Sequence, residues 1–317
     1  MAKVLAAARS FAKSAEAKAV LEQAGFEVIL NPYDRPLKEH ELLELIKGLD
    51  GMVTGMDEVT AAVIAAGAPN LKIVAKHGVG YNNIDLTAAK QHGVEVTITP
   101  GANTVSVAEL ALGLMLTLAR RITVMDRSVK AGSWDRLTGC ELSGKILGIV
   151  GLGSIGSEVV KRAWAFDMKV VAFDLYPRAD LIEKYGVTYK TLPEVIAEAD
   201  FLSLHAPATP ETQGMINKKT LATMKKSAFI INTARGDLIN EADLFEALTT
   251  GVIAGAGLDT FAQEPPVDSP LFSLDNVVLT PHAGATTGEA VTRMGVTAAE
   301  EVVRVLTGQK PLYSVLK

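Results

Sequence analysis

Short apolar runs rich in Val, Ile, Leu and Ala recur through the first hundred residues, each followed by a stretch in which apolar positions return every three or four residues. KVLAAA leads to a helical stretch that runs to Gln23 and closes at Gly25. FEVIL, GMVTG, LKIVAK and VEVTIT then alternate with helical stretches around Glu39–Lys47, Ala61–Ala66 and Leu86–Gln91. Strands that are apolar throughout, alternating with helices, predict a parallel sheet covered on both faces. The alternation resumes after Lys145 with KILGIV, KVVAFD, VTYK, DFLSLHAP, AFIINTARG, VIAGAGLDTF and NVVLTPH. The fold class is therefore α/β, with two doubly wound parallel-sheet domains.

Between the two series, VAELALGLMLTLARRITVM is apolar almost all round. It predicts a helix from Thr104 or Ser106 to about Val129, read as a hinge and, over 104–129, a dimerisation surface, because such helices are buried by packing between domains or subunits. The last helical stretch, from Gly288 to about Thr307, alternates charge with apolar residues and is expected to cross back to the first domain. The expected domains are 1–100 plus 287–317, discontinuous, and 101–286.

Composition narrows the function classes. The 317 residues are 48% apolar and 21% charged with a net charge of −5, ordinary for an α/β enzyme and poorly suited to holding nucleic-acid phosphates. The N-terminus lacks a signal-peptide h-region, and the longest apolar candidate, Val105 to Ala119, is interrupted by Glu109, so no membrane partner and a cytoplasmic location are expected. The single cysteine, Cys140, cannot form an internal disulfide and reads as a small, partly buried apolar residue. No His or Cys pair has ligand spacing, so no metal site is expected.

The strongest chemical signal is Gly151-Leu-Gly153-Ser-Ile-Gly156, after KILGIV and before a helix, with KVVAFD ending on Asp174. In such a βαβ unit the first glycine makes the turn, the second lets backbone approach a pyrophosphate and the third allows helix–strand packing. The acid is placed for a ribose 2′-hydroxyl. Three more strand ends carry reactive groups: Thr233-Ala234-Arg235-Gly236, Asp259 with Glu264-Pro265-Pro266, and Thr280-Pro281-His282-Ala283-Gly284. Parallel topology brings strand carboxyl ends to one edge. There a His suits general acid/base work near neutral pH, a carboxylate orients it, and an Arg binds a substrate carboxylate and polarises a carbonyl. Lys76-His77-Gly78-Val79-Gly80, after a strand of the first domain, offers backbone N–H groups and a cation for an anion. His40 and His92 read as solvent-facing, and His205 as touching a cofactor through its backbone.

GVGYNNID near residue 80, GLGSIG, INTARGDLINEADL from Ile231, AGLDTFAQEPP from Ala256 and LTPHAGATT from Leu279 together resemble the NAD-dependent D-isomer-specific 2-hydroxyacid dehydrogenases, most closely the phosphoglycerate dehydrogenase branch. The resemblance implies a flavodoxin-like substrate domain and a Rossmann NAD-binding domain with a cleft between them, in a homodimer. It assigns substrate binding to Arg235, proton transfer to His282 and pairing with His282 to Glu264. Gly151, Gly153, Ser154, Ile155, Gly156, Asp174, His205, Ala206, Pro207, Thr212, Thr233, Ala234, Asp259 and Gly284 would line NAD, and Lys76, Gly78, Val79, Gly80 and Arg136 would meet the substrate. The expected reaction interconverts a D-2-hydroxy acid and its 2-oxo acid, with 3-phosphoglycerate and a place in serine biosynthesis foremost.

Departures matter as well. Thr54 stands where phosphoglycerate-specific members carry a cation, while Lys76 and Arg136 keep positive charge at positions resembling phosphate contacts. Ser154 replaces the usual Arg of the glycine turn, and regulation through a C-terminal serine-binding domain is not expected. Alternatives are a hydroxypyruvate or glyoxylate reductase, a non-catalytic NAD(H)-sensing interaction protein on the same scaffold, and a phosphite or formate enzyme. Glu264 weighs against formate, where Gln is usual. Asp174 favours NAD over NADP, with Arg178 as a nearby cation.

Overall fold

The computed structural model describes residues 1–316, which form two units: Met1–Asn103 with the segment from Ala285, and Thr104–Gly284. These boundaries stand against the 100/101 and 286/287 read from the sequence.

The first unit is built on strands β1 (Lys3–Ala6), β2 (Glu27–Leu30), β3 (Gly51–Thr54), β4 (Ile73–Lys76) and β5 (Glu95–Thr97), all parallel, in the order β2-β1-β3-β4-β5. This is the flavodoxin-like order. Side-chain caps start its helices: Ser14 accepts from Ala17 N, Thr60 from Val63 N and Asp85 from Ala88 N. The helix Gly288–Leu306 returns to this unit and covers one face of the sheet, packing Ala298, Ala299 and Val302 with Val4, Ala6, Val53 and Ile73. Beyond it the chain runs antiparallel along the β5 edge, where Ile98 N donates to Tyr313 O and Val315 N to Val96 O. Glu301, fully buried, accepts from the backbone N–H groups of Leu312 and Tyr313 and anchors that segment.

The second unit holds β6 (Ile146–Val150), β7 (Lys169–Phe173), β8 (Thr188–Tyr189), β9 (Phe201–Leu204), β10 (Phe229–Asn232), β11 (Gly255–Leu258) and β12 (Val277–Leu279), parallel, in the order β12-β11-β10-β9-β6-β7-β8. The order reverses beside β6, the arrangement of a dinucleotide-binding sheet.

The helix read from Thr104 to Val129 is two helices, Thr104–Ala119 and Ile122–Lys130, broken at Arg121 with φ of 53°. The cause is tertiary. Cys140 N donates to the Ala119 carbonyl at 2.8 Å, and Gly139 passes so close that a Cβ there would lie 2.2 Å from that oxygen. The returning chain takes the acceptor that would continue the helix. The apolar surface of Thr104–Ala119 is used inside its own unit, in a core shared with Leu147, Val159, Val160 and Ile231. No helix among the described residues is long and apolar enough to cross a membrane.

Candidate active site

Phe173, Val150, Leu204, Asn232, Leu258 and Leu279 pair in register across β7, β6, β9, β10, β11 and β12. The residues that follow them, Asp174, Gly151, His205, Thr233, Asp259 and Thr280, therefore stand in a row along one sheet edge. At a strand spacing of about 4.8 Å the row spans roughly 24 Å.

The nucleotide end is built around Gly151, whose φ is 95° and whose Cβ, if present, would lie 2.8 Å from the backbone carbonyl of His205. Gly156 is buried against the Gly151 carbonyl. Gly153 differs: a Cβ there would meet open space, and the residue caps the start of the helix Ser154–Ala165. Open room at a helix N-terminus suits a pyrophosphate. Ser154 is exposed and Ile155 half-buried. Asp174 accepts from Leu152 N at 2.5 Å and Tyr176 N at 2.7 Å, which ties the carboxylate to the turn itself.

Along the row, His205 N donates to Val150 O, and the ring Nε2 lies 2.9 Å from Ser203 Oγ. Burial pulls the imidazole down to about 4, and its Nδ1 is buried with no partner, as is Thr233 Oγ1. These unsatisfied polar atoms, the open cradle at Gly153 and the acid at Asp174 fit a dinucleotide. Thr212 Oγ1 donates to Pro207 O at 2.7 Å and accepts from Thr209 N, shaping the loop that follows Ala206. Ala234 N donates to Asn232 Oδ1, and Asn232 Nδ2 donates to Arg235 O at 2.8 Å, so Asn232 folds the turn that presents Arg235.

The catalytic candidates come together at the other end. His282 Nδ1 lies 2.7 Å from Glu264 Oε2, while Glu264 Oε1 accepts from Phe261 N at 3.0 Å. Burial raises the Glu264 carboxyl, but its bond to His282, the Phe261 N–H and the charge of Arg235 outweigh burial and hold it below the usual carboxylate value. Arg235 is mostly buried, which lowers its guanidinium against the opposing pull of Glu264 and Asp237. Its Nη1 donates to Ala234 O. Gly236 is what lets these loops meet: a Cβ there would lie 1.9 Å from the Phe261 carbonyl carbon.

His282 sits at φ of 50°, an uncommon conformation for a non-glycine residue. Its N–H donates to Asp259 O at 2.8 Å. The buried Asp259 carboxylate accepts from Thr280 Oγ1 at 2.6 Å, Ala283 N at 2.7 Å and Gly284 N at 2.8 Å. Asp259 thus clamps the loop that carries His282. From the sequence Asp259 reads as a strand-end acid and a cofactor contact, and Thr280 only as the start of the His282 strand end; Ser203 and Asn232 are not singled out there. Their signal was position, at or beside strand ends.

Lys76, Gly78, Val79 and Gly80 belong to the first unit. Lys76 is buried, and its ammonium donates to Gly55 O and, at 2.7 Å, to Asn83 Oδ1. Thr54 is also buried, its hydroxyl donating to Asp57 Oδ2 at 3.0 Å. Gly78 N donates to Thr99 Oγ1 at 3.0 Å, and Val79 and Gly80 are half-buried. Arg136 is exposed on the irregular segment after the helix Ile122–Lys130.

Residues 112–284 match the family described as D-isomer specific 2-hydroxyacid dehydrogenase, NAD binding domain. Hydroxypyruvate reductase from Thermotoga maritima is 47% identical over 277 residues, covering 85% of this chain and 89% of that protein. D-3-phosphoglycerate dehydrogenase from Methanocaldococcus jannaschii is 45% identical over 276 residues, covering 86% of this chain but 53% of that protein, so the chain spans about half of its length. The apo-structure of D-lactate dehydrogenase from Escherichia coli superposes with a TM-score of 0.89 at 31% identity, covering 99% of this chain and 100% of that one.

Proposed function

The chain belongs to the D-isomer-specific 2-hydroxyacid dehydrogenase family, and on that premise we propose that it interconverts a D-2-hydroxy acid and its 2-oxo acid. When bound, NAD supplies the hydride-transfer chemistry, held by the Gly151–Gly156 turn and Asp174. The observation that carries the reading is the His282–Glu264 pair at the end of the same strand-end row. With Nδ1 turned to the Glu264 carboxylate, the tautomer carries its proton on Nδ1 and leaves Nε2 to exchange a proton with the substrate oxygen. Glu264 holds the imidazole in that tautomer and orientation. The Arg235 guanidinium binds the substrate carboxylate and polarises the carbonyl.

Within that class, an unphosphorylated acid such as hydroxypyruvate or glyoxylate is the reading we favour, because the Lys76 ammonium already donates to Gly55 O and Asn83 Oδ1 and Thr54 carries no charge. The second reading, 3-phosphohydroxypyruvate and with it a step of serine biosynthesis, draws its support from the exposed cation Arg136. We also propose a homodimer, supported by the exposed apolar side chains Ile122, Val129 and Trp134, the last 77% exposed.

The test is NADH consumption by purified protein with 3-phosphohydroxypyruvate, hydroxypyruvate, glyoxylate, pyruvate and a branched 2-oxo acid. Preference for the phosphorylated acid reverses the choice of substrate. NADH binding without turnover of any of them replaces the enzyme with a nucleotide sensor.

A further inference from the structure

His77 is a buried imidazole with no part in the chemistry above. It follows β4 directly and stands just before Gly78–Gly80, the loop to which the family resemblance assigns substrate contact. Its ring joins two segments of the first unit that are far apart in sequence. Nδ1 lies 3.3 Å from Ser10 Oγ, in the turn after β1, and Nε2 lies 3.2 Å from the carbonyl oxygen of Val291, in the first turn of the helix Gly288–Leu306. A carbonyl only accepts, so Nε2 carries the proton and Nδ1 accepts from the Ser10 hydroxyl. Burial holds the ring neutral by pulling it down to about 4, against the raising effect of the Val291 carbonyl, and the Lys76 ammonium adds to the pull. One tautomer is therefore fixed, with both ring nitrogens bonded. The fit depends on close approach: a Cβ at Gly295 would lie 2.7 Å from Ala17 Cβ and 3.7 Å from His77 Nε2, and the Phe11 ring meets the imidazole edge-on with centroids 6.5 Å apart.

We propose that His77 is a positioning residue for the substrate: its ring ties the Gly78–Gly80 loop to the turn after β1 and to the last helix, and so holds the backbone donors of that loop in place for the acid. The loop needs such a tie, because two glycines in three residues leave it intrinsically loose. The main chain at its start is pinned to neighbouring segments, with His77 N donating to Thr54 O at 2.8 Å, Gly78 N to Thr99 Oγ1 at 3.0 Å and Thr99 N to Gly78 O at 2.9 Å. Those bonds act within the sheet. The ring instead reaches out of it, to the face that the last helix covers, and restrains the loop in the direction that backbone pairing leaves soft. Beyond Gly78 the pinning ends: among the described residues the N–H groups of Val79 and Gly80 have no acceptor within the protein. Two successive donors in a glycine-rich turn suit an oxyanion, provided that the turn keeps its shape.

The inference rests on the proposed reduction of a 2-oxo acid. It is tested by steady-state kinetics with hydroxypyruvate and glyoxylate, beside NADH fluorescence titration and thermal unfolding, in wild type, His77→Phe, His77→Gln, Ser10→Ala and the Ser10→Ala/His77→Phe double variant. Phe keeps the ring volume and loses both hydrogen bonds, whereas Gln retains an N–H for Val291 O. The expected result is a rise in KM of about tenfold in His77→Phe and about threefold in Ser10→Ala. The kcat at saturating acid is expected to stay within about twofold of wild type, with NADH affinity unchanged. His77→Gln is expected to recover most of the loss. The double variant is expected to match His77→Phe alone, because both changes break one tie. A structural role alone predicts a lowered melting temperature with unchanged KM, and that result, or a KM as high in His77→Gln as in His77→Phe, overturns the proposal. If His77→Phe does not fold, Ser10→Ala decides, and an unchanged KM there overturns it too. A wild type that binds NADH and turns over no acid instead overturns the reading beneath it.

Discussion

His282 Nδ1 lies 2.7 Å from Glu264 Oε2 although the two residues stand on different loops of the second unit. The contact exists because Gly236 lets the Arg235 turn press against Phe261, and because the Asp259 carboxylate folds the 280–284 loop back over its own strand end.

Replacing the proton carrier separates binding from chemistry. His282→Ala is expected to lower kcat by about 10² to 10⁴-fold while leaving NADH affinity nearly intact, as measured by fluorescence titration beside steady-state kinetics. Loss of both together removes His282 from the assigned role.

The Asp259 clamp is expected to matter for stability and rate at once. Asp259→Ala leaves the Thr280 hydroxyl and the Ala283 and Gly284 N–H groups without their acceptor, at about 1–3 kcal/mol for each group that stays buried and unpaired. A lower melting temperature and a lower kcat are expected; unchanged kcat in a folded variant would show that the loop holds its shape by other means.

Gly236→Ala puts a methyl group where the Phe261 backbone lies 1.9 Å away. The loops must separate, so the variant is expected to be destabilised by about 1–3 kcal/mol or more and to lose turnover. Denaturant unfolding with a parallel activity assay reads both effects.

Acid sensitivity follows from two buried imidazoles, one in each unit. Burial lowers His77 and His205 from 6.5 to about 4. Between those values the unfolded chain binds more protons than the folded one, so their contribution to stability is complete above 6.5 and is lost as pH falls toward 4. Thermal unfolding followed across this window is expected to show a falling melting temperature, flattened in His77→Gln and His205→Gln. An equally steep decline in both variants would assign it to the carboxylates.

The two sheets, the glycine turn and the Arg–Glu–His set were legible in the sequence because each depends on local order. Apolar strands are punctuated by turns, and parallel pairing then carries every strand end to one edge. What stayed hidden depends on contacts made across the chain. The break at Arg121 arises where Cys140 takes the Ala119 carbonyl. The bonds of Lys76 to Gly55 and Asn83 likewise join segments that a charge count does not bring together. Asp259 reads as a cofactor contact by resemblance, and that its carboxylate also holds the loop beside it shows only once the 280–284 segment is folded against it.

The return of the helix Gly288–Leu306 to the first sheet sets the order in which the protein can mature during synthesis. The strands of the first unit leave the ribosome early, with Val4, Ala6, Val53 and Ile73 lacking the Ala298, Ala299 and Val302 side chains that cover them. The whole of Thr104–Gly284 is made before that cover arrives. The nucleotide-binding unit is thus free to close as an uninterrupted length of chain, while the N-terminal sheet waits with that face covered only in part, by Phe11, Ala17 and Leu21.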